Sequence, residues 1–113
     1  MTHVTRVVIE AQGAADVMKL IEGELSPPGV GELQIAHTAI GLNYMDVYQR
    51  SGSYPLPLPS ALGLEAAGRV TAVGPEVEGF AVGDRVAYLS VLGAYATHCN
   101  VPAARAIQIP DLI

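Results

Sequence analysis

Residues 33–52 read LQIAHTAIGLNYMDVYQRSG and contain the change of pattern that decides the fold. Over Leu33–Leu42, Leu33, Ile35, His37 and Ala39 fall on one face of an extended chain and the intervening residues on the other. Both faces carry apolar residues, which is typical of a strand that is covered on both sides. This half of the stretch is therefore predicted to be a central β-strand.

The second half of the stretch has a helical pattern. Tyr44, Val47 and Tyr48 recur at the i, i+3, i+4 spacing of one helix face. Asn43 is a good N-cap, Asp46 places an acid in the first turn, and Gly52 can end a helix. We expect a helix of about two turns directly after the strand.

Short β-rich runs fill most of the remaining chain, and glycine and proline separate them. The predicted strands are Thr5–Glu10, Val17–Glu22, Ala67–Val73, Arg85–Ser90, Tyr95–Val101 and Ala106–Ile109. The first two could pair as a hairpin across the Gln12–Gly13 turn. Pro27–Gly29 and Tyr54–Pro59 are predicted loops, the second one extended and stiff because its alternating prolines cannot donate to a sheet. Many short strands with frequent turns indicate a mainly β domain, either a barrel or a sandwich.

Length and composition narrow the classes of function. The 113 residues correspond to one domain, 50% are hydrophobic and 15% charged, and the net charge is −5. The sequence contains no cluster of lysine and arginine that could bind a phosphate backbone, so we expect no nucleic-acid partner. The single cysteine, Cys99, excludes an internal disulfide and fits a reducing compartment. Neither a signal peptide nor an apolar run of membrane-spanning length is recognisable, and a cytoplasmic location is predicted.

Two features indicate that the chain normally packs against something else. The mean hydropathy of +0.36 is high for a small domain. The sequence also ends on Leu112 and Ile113, after a Pro110–Asp111 pair that resembles the start of a helix. We expect the chain to be a fragment of a longer protein.

Five motifs, in their order along the chain, resemble the quinone oxidoreductase branch of the medium-chain dehydrogenase/reductase superfamily. They are GLNYMDVYQRSGSYP (41–55), GLEAAGRV (63–70), VGPEV (73–77), GDRV (83–86) and LGAYA (92–96). The resemblance covers essentially the whole chain and implies that residues 1–113 form the GroES-like domain, a partly open β-barrel with one or two short helices. It further implies a Rossmann domain that is absent from this chain, a dinucleotide (NADPH, or NADH) bound between the two domains, and a homodimeric full-length enzyme. No G-x-G-x-x-G motif is present in these residues.

The resemblance also predicts a site without zinc. Zinc-dependent alcohol dehydrogenases of the same superfamily have a cysteine at the position of Asn43 and a histidine at that of Leu64, and neither residue found here can replace those ligands. The cysteine-rich lobe of the second zinc is missing, because Ala87–Gly93 contains no cysteine. The other candidate ligands are His3, His37, His98, Cys99, Asp46 and Glu65. His98 and Cys99 are adjacent in a predicted strand and would point to opposite faces, so they cannot share a metal. His37 is expected to be a hydrogen-bonded core residue.

By the same resemblance, Asn43, Tyr44, Asp46 and Tyr48 would bind the nicotinamide end of the cofactor, Tyr48 being the one tentative catalytic residue, and Tyr54 would bind the quinone. Amide and phenol groups can donate hydrogen bonds to the negative charge that develops on a quinone oxygen. Structural alternatives remain open: Asn43 as a helix cap, Asp46 as a partner of the helix dipole, and Tyr48 as a core residue packed beside Tyr44.

Two further residues are expected to be structural. Glu65 is predicted to be buried and paired with Arg50 or Arg69. Cys99 has no activating neighbours in the sequence and is expected to be inert.

The resemblance implies an NAD(P)H-dependent reductase of quinones or other α,β-unsaturated carbonyl compounds, in which this domain alone would be inactive. Two alternatives stay open. The domain could be a non-catalytic binding or oligomerisation module, or the enzyme could reduce enoyl thioesters on the same scaffold. Serine hydrolysis has no support, since no G-x-S-x-G motif is present.

Overall fold

The computed structural model describes all 113 residues and is mainly β. The eight strands are β1 (Thr2–Ile9), β2 (Met18–Leu25), β3 (Glu32–Ile40), β4 (Ser60–Ala61), β5 (Glu65–Val73), β6 (Arg85–Leu89), β7 (His98–Pro102) and β8 (Ala106–Gln108). The one α-helix is α1 (Tyr44–Ser51), and Ala15–Val17 and Ala103–Arg105 form 3-10 turns. No helix in the structure is long and apolar enough to cross a lipid bilayer.

The strands form two antiparallel sheets that do not close into a full barrel. The smaller sheet has the order β2-β1-β4 and the larger one the order β7-β3-β5-β6-β8. Strand β3 lies between β7 and β5, which confirms the predicted central strand. The predicted hairpin is also confirmed, because β1 pairs with β2 from Thr2↔Leu25 to Ile9↔Met18. The partly open β fold matches the one that the sequence predicts.

The hydrophobic core lies against the larger sheet. Nine buried residues form one cluster, and most of them alternate along β3, β5 and β6: Leu33, Ile35, Ala66, Val70, Val86, Tyr88, Ala94, Val101 and Ala106. Gln34, on the other face of β3, is buried as well. Its side chain bonds Thr2 Oγ1 at 2.9 Å and Asn100 Oδ1 at 3.2 Å, so at this position the second face of the central strand is covered by a hydrogen-bonded polar group.

Residues 95–97 join the two sheets and are not part of β7, which begins at His98 rather than at the predicted Tyr95. The Val7 N–H donates to the Tyr95 carbonyl, and the Thr97 N–H donates to the Thr5 carbonyl, both at 2.9 Å. The His37 N–H donates to the Thr97 carbonyl at the same distance. The segment pairs with β1 of the smaller sheet and touches β3 of the larger one, so it cannot extend β7.

The C-terminal end of β3 brings the chain to α1. A register shift between His37 and Ala39 marks a bulge opposite Gly68 of β5, and bulges bend the strand that carries them. Strand β3 ends at Ile40, two residues before the predicted end, and Asn43 then takes the N-cap position of α1. Gly52 closes the helix with φ +98°, as predicted.

The predicted loops are found as expected. Residues 26–29 and 54–58 contain no helix or strand. Leu112 and Ile113 are both exposed.

Candidate functional site

Helix α1 buries polar residues and exposes aromatic ones, the reverse of an ordinary amphipathic helix. Its two buried residues are polar: Asp46 is 2% exposed and Gln49 is 7% exposed. The tyrosines of the predicted stripe face solvent, Tyr44 being 79% and Tyr48 47% exposed. The interpretation of Tyr48 and Tyr44 as core residues is therefore wrong. A helix period shows which residues share a face, but it does not show which face is buried.

The exposed tyrosines form an aromatic surface. The rings of Tyr44 and Tyr48 stack with their centroids 6.4 Å apart and their planes 24° from parallel. Tyr54, in the loop after the helix, is 46% exposed. Its N–H donates to the Tyr48 carbonyl at 3.1 Å, and its own carbonyl accepts a hydrogen bond from Gln12 Nε2 at 2.9 Å. Three of the predicted site residues are thus held on or directly beside one exposed helix face.

Asp46 faces the opposite side and secures the start of the helix. Its Oδ2 accepts hydrogen bonds from the Asn43 N–H at 3.0 Å and from the Tyr95 hydroxyl at 2.7 Å. Asn43 and Asp46 form a capping box, which satisfies N–H groups that would otherwise lack partners at the helix start. Burial, followed by the bond to Asp46, raises the pKa of Tyr95 above its ordinary value, so this phenol stays a hydrogen-bond donor. Asp46 therefore holds the helix in place, whereas Tyr44 and Tyr48 present its outer surface.

Tyr95 is in turn fixed by a glycine. Gly63 has φ +93°, and a Cβ atom at this residue would lie 2.5 Å from Tyr95 Cδ1 and 2.7 Å from its backbone nitrogen. Any side chain at residue 63 would therefore displace the ring that bonds Asp46. Neither Tyr95 nor Gly63 was a predicted site residue, because the contact joins parts of the chain that are far apart in sequence.

Glu65 bonds Asn43 and not an arginine. Asn43 Nδ2 donates to Glu65 Oε2 at 3.0 Å, and Glu65 is only partly buried. Arg50 donates to the Gly13 carbonyl and Arg69 to the Gly83 carbonyl. The predicted ion pair of Glu65 with Arg50 or Arg69 is therefore wrong: both guanidinium groups bind backbone oxygens in neighbouring loops. Glu65 becomes instead a contact of a predicted site residue.

His37 has the predicted character of a hydrogen-bonded histidine. Its Nδ1 lies 2.7 Å from the Ala96 carbonyl, which can only accept, so Nδ1 carries the proton. Nε2 then accepts from the Tyr88 hydroxyl at 2.9 Å. Burial lowers the pKa of His37, and burial raises that of Tyr88, so both groups are neutral at pH 7.

Cys99 is partly buried, and burial raises the pKa of its thiol. A thiol with a raised pKa forms little thiolate at neutral pH, which agrees with the expectation that this cysteine is unreactive.

A cleft of about 510 Å³ lies where β1, the end of β3 and residues 95–97 meet. Its lining includes His37 and Ile40 as well as Tyr95, whose hydroxyl bonds Asp46. The structure contains no group of three or more His, Cys, Asp or Glu side chains placed to hold a metal ion.

The exposed groups of this site suit one end of a nicotinamide dinucleotide. A flat, partly charged ring can stack on phenol rings, and a carboxamide can exchange hydrogen bonds with the half-buried amide of Asn43. A pyrophosphate requires a different site, a glycine-rich turn at a helix N-terminus, and the sequence contains no such motif. The residues of this site are compatible with the nicotinamide end of such a cofactor and do not include the groups that its pyrophosphate needs.

Known proteins resemble this chain in sequence and in fold. Residues 29–111 match the alcohol dehydrogenase GroES-like domain family. A quinone oxidoreductase of Salmonella typhimurium is 46% identical over 111 residues, which are 96% of this chain and 34% of that protein. A 2-haloacrylate reductase of a Burkholderia species is 40% identical over 113 residues, covering 95% of this chain and 34% of that protein.

The solved structure of an Escherichia coli quinone oxidoreductase complexed with NADPH superimposes with a TM-score of 0.93 and 42% identity, over 96% of this chain and 34% of that one. The chain spans about a third of the length of these two curated relatives. The matching domain family, the sequence identities and the superposition agree with one another. The chain belongs to the alcohol dehydrogenase GroES-like domain family, and the relatives reported above include quinone oxidoreductases.

Proposed function

We propose that this chain is the GroES-like catalytic domain of an NAD(P)H-dependent quinone oxidoreductase. The observation that carries the proposal is the reversed helix α1, on which Tyr44 and Tyr48 are exposed while Asp46 is buried beneath them. Leaving two aromatic rings in contact with water forgoes part of the hydrophobic stabilisation that their burial would provide. Such an arrangement is expected where the rings serve a ligand or a second domain.

Each exposed group has a role in the proposal. Bound NADPH would supply the hydride, and one proton from solvent would complete the reduction of the quinone to the hydroquinone, leaving NADP⁺. Asn43, Tyr44 and Tyr48 would contact the nicotinamide end, and Asp46 would act through Asn43 and the helix. The hydroxyls of Tyr48 and Tyr54 donate hydrogen bonds to the quinone oxygen as negative charge develops on it. NADH remains an alternative donor, because the residues that would choose between the two lie outside this site.

The proposed site works without zinc. Asn43 directs its side-chain nitrogen to Glu65, and Leu64 offers no lone pair, so the two positions that correspond to zinc ligands in alcohol dehydrogenases supply no thiolate and no imidazole. Stabilisation of the reacting oxygen then depends on hydrogen bonds alone.

We also propose which other parts of the full-length protein pack around this domain. A Rossmann domain elsewhere in the protein would supply the glycine-rich turn for the pyrophosphate and cover the tyrosine surface. The full-length enzyme would be a cytoplasmic homodimer that binds neither nucleic acid nor membrane. Residues 1–113 alone would have no reductase activity, since they contain only one wall of the cofactor site.

A spectrophotometric assay tests the proposal. The full-length protein should oxidise NADPH, followed by the loss of its near-ultraviolet absorbance, when a benzoquinone or naphthoquinone is added, and a chelator should leave the rate unchanged. Tyr48→Phe should lower kcat about tenfold or more because it removes one donor to the developing oxyanion. The control is Tyr88→Phe, which removes a tyrosine hydroxyl that bonds His37 inside the domain and lies outside the proposed site. A chelator-sensitive rate would contradict the metal-free mechanism, and failure to oxidise NADPH would favour the non-catalytic module.

A second substrate class is favoured by one relative. The 2-haloacrylate reductase has a name that denotes reduction of an electron-poor C=C bond, and it covers this chain as fully as the quinone oxidoreductases do. An α,β-unsaturated carbonyl compound takes the hydride at its β-carbon and develops charge on the same kind of oxygen. Comparing kcat/KM for a quinone, an enone and an enoyl thioester ranks the three candidates. A preference above about tenfold for the enone or the thioester would replace the quinone assignment.

A further inference from the structure

The contact between Asn43 and Glu65 was not expected from the sequence, and it is made by a residue of the proposed site. Asn43 Nδ2 donates to Glu65 Oε2 at 3.0 Å. The two residues are 22 positions apart, at the N-cap of α1 and the first position of β5. The backbone supports the contact, because the Gly41 N–H donates to the Glu65 carbonyl at 3.2 Å.

This contact fixes which way the Asn43 carboxamide is turned. An ionised carboxylate can only accept hydrogen bonds, whereas an asparagine has two N–H donors and one acceptor oxygen. Turning the amide by about 180° would place its oxygen against the Glu65 oxygen and lose a charge-assisted hydrogen bond. One N–H of the amide remains as the group that Asn43 can offer to a ligand.

The surroundings of Glu65 hold its carboxylate in reach of Asn43. A Cβ atom at residue 41 would overlap the Glu65 carboxylate and lie 2.5 Å from its Cδ and Cγ, so the space that the side chain occupies exists only because residue 41 is glycine. No arginine or lysine bonds this carboxylate, so its hydrogen bond to Asn43 is not shared with a cation.

We propose that Glu65 is a positioning residue, which orients the Asn43 carboxamide so that its free N–H donates to a carbonyl oxygen in the active site. The inference rests on the proposed function, because it takes Asn43 to lie at the site of hydride transfer. The carbonyl belongs either to the carboxamide of the nicotinamide or to the quinone, since both offer the same acceptor. Glu65 itself touches neither, and its effect passes through Asn43.

Enzyme kinetics on the full-length protein test the proposal. Glu65→Leu removes the acceptor and should lower kcat/KM about tenfold or more, whereas Glu65→Gln retains a carbonyl oxygen of the same reach and should stay within about threefold of wild type. A raised KM for NADPH would identify the nicotinamide carboxamide as the acceptor, and a raised KM for the quinone would identify the substrate. The matched control is Glu32→Leu, which removes a carboxylate that accepts from the Gly29 N–H at the other end of β3.

A double-mutant cycle separates positioning from general stability. In an Asn43→Ala background, Glu65→Leu should cause less than about a twofold further loss, because the residue through which it acts is already gone. An equal loss in both backgrounds would overturn the proposal, as would wild-type kinetics of Glu65→Leu or equal damage by Glu65→Gln. Where Glu65→Leu fails to fold, Glu65→Asp serves in its place, since it withdraws the carboxylate by one methylene.

A spectroscopic measurement keeps this inference apart from the proposed function. In full-length protein labelled with ¹⁵N-asparagine, the Asn43 side-chain NH₂ resonances, assigned by their loss in Asn43→Ala, should shift in Glu65→Leu and remain in place in Glu32→Leu. Unshifted resonances would refute the positioning role even in an active enzyme. An inactive wild type with shifted resonances would refute the reductase assignment while leaving the contact intact.

Discussion

At the scale of single residues, His37 is the group whose ionisation is linked most directly to folding. Burial lowers its pKa below the ordinary 6.5, repulsion from His98 adds to the effect, and the bond to the Ala96 carbonyl opposes it. Protonation would also place a proton on Nε2, where the Tyr88 hydroxyl now donates. The folded state therefore resists a proton that the unfolded chain accepts.

The sign of the pH dependence follows from this difference. Stability should be at its full value above the unfolded pKa of 6.5 and should fall as the pH drops below it toward the lowered pKa of the folded state, by at most ~1.4 kcal/mol per pH unit for one proton. Urea unfolding of the chain at several pH values measures this slope. His37→Gln should flatten it, whereas His3→Gln, which removes an exposed imidazole, should retain it. Equal slopes in wild type and His37→Gln would show that another group is responsible.

At the scale of secondary-structure elements, the close approach of β3 and β5 depends on Gly68. A Cβ atom there would overlap the Ala36 carbonyl oxygen and lie 2.8 Å from its carbon and 3.0 Å from His37 Cα. These are backbone atoms of the central strand, so they cannot move away by a change of rotamer. The bulge that turns the end of β3 toward α1 lies at the same place.

Gly68→Ala should therefore lower the free energy of unfolding by at least about 2 kcal/mol, in the upper range for overpacking in a core. Gly23→Ala is the matched control, because Gly23 also lies in a strand but the nearest atom to an added Cβ is 3.9 Å away. Thermal or urea denaturation of the two variants measures the difference. Equal stabilities would mean that β3 and β5 can move apart without lowering the free energy of unfolding.

For these helices and strands, local sequence patterns predicted the secondary structure but not the contacts between distant residues. Alternation and turn residues were sufficient for β3, the β1–β2 hairpin and α1 with its cap, because these signals are local. The reversed burial of α1 could not be predicted, since it depends on Tyr95 reaching Asp46 from 49 residues away. The predicted partner of Glu65 was wrong for a related reason. Charge complementarity favoured an arginine, whereas the space beside Gly41 directs the carboxylate to Asn43.

At the scale of the whole molecule, the composition and the structure agree that apolar surface is left uncovered. Leu42 is 78% exposed at the start of the helix segment, next to the stacked Tyr44 and Tyr48. Ile107 and Ile113, near the end of the chain, are exposed as well. A soluble domain rarely leaves several large apolar side chains uncovered around one helix unless another surface packs there.

The isolated 113-residue chain should therefore bind a hydrophobic dye such as ANS or self-associate, whereas the full-length protein should do neither to the same extent. A triple change of Leu42, Tyr44 and Tyr48 to serine should reduce dye fluorescence at least about twofold without unfolding, because none of the three side chains is in the core. Val30→Ser, which changes an exposed residue in a loop between β2 and β3, should leave the fluorescence as it is. Dye fluorescence and sedimentation measure the two effects. A chain that is monomeric and silent toward the dye would show that the tyrosine surface needs no partner, and would leave ligand binding as the reason for its exposure.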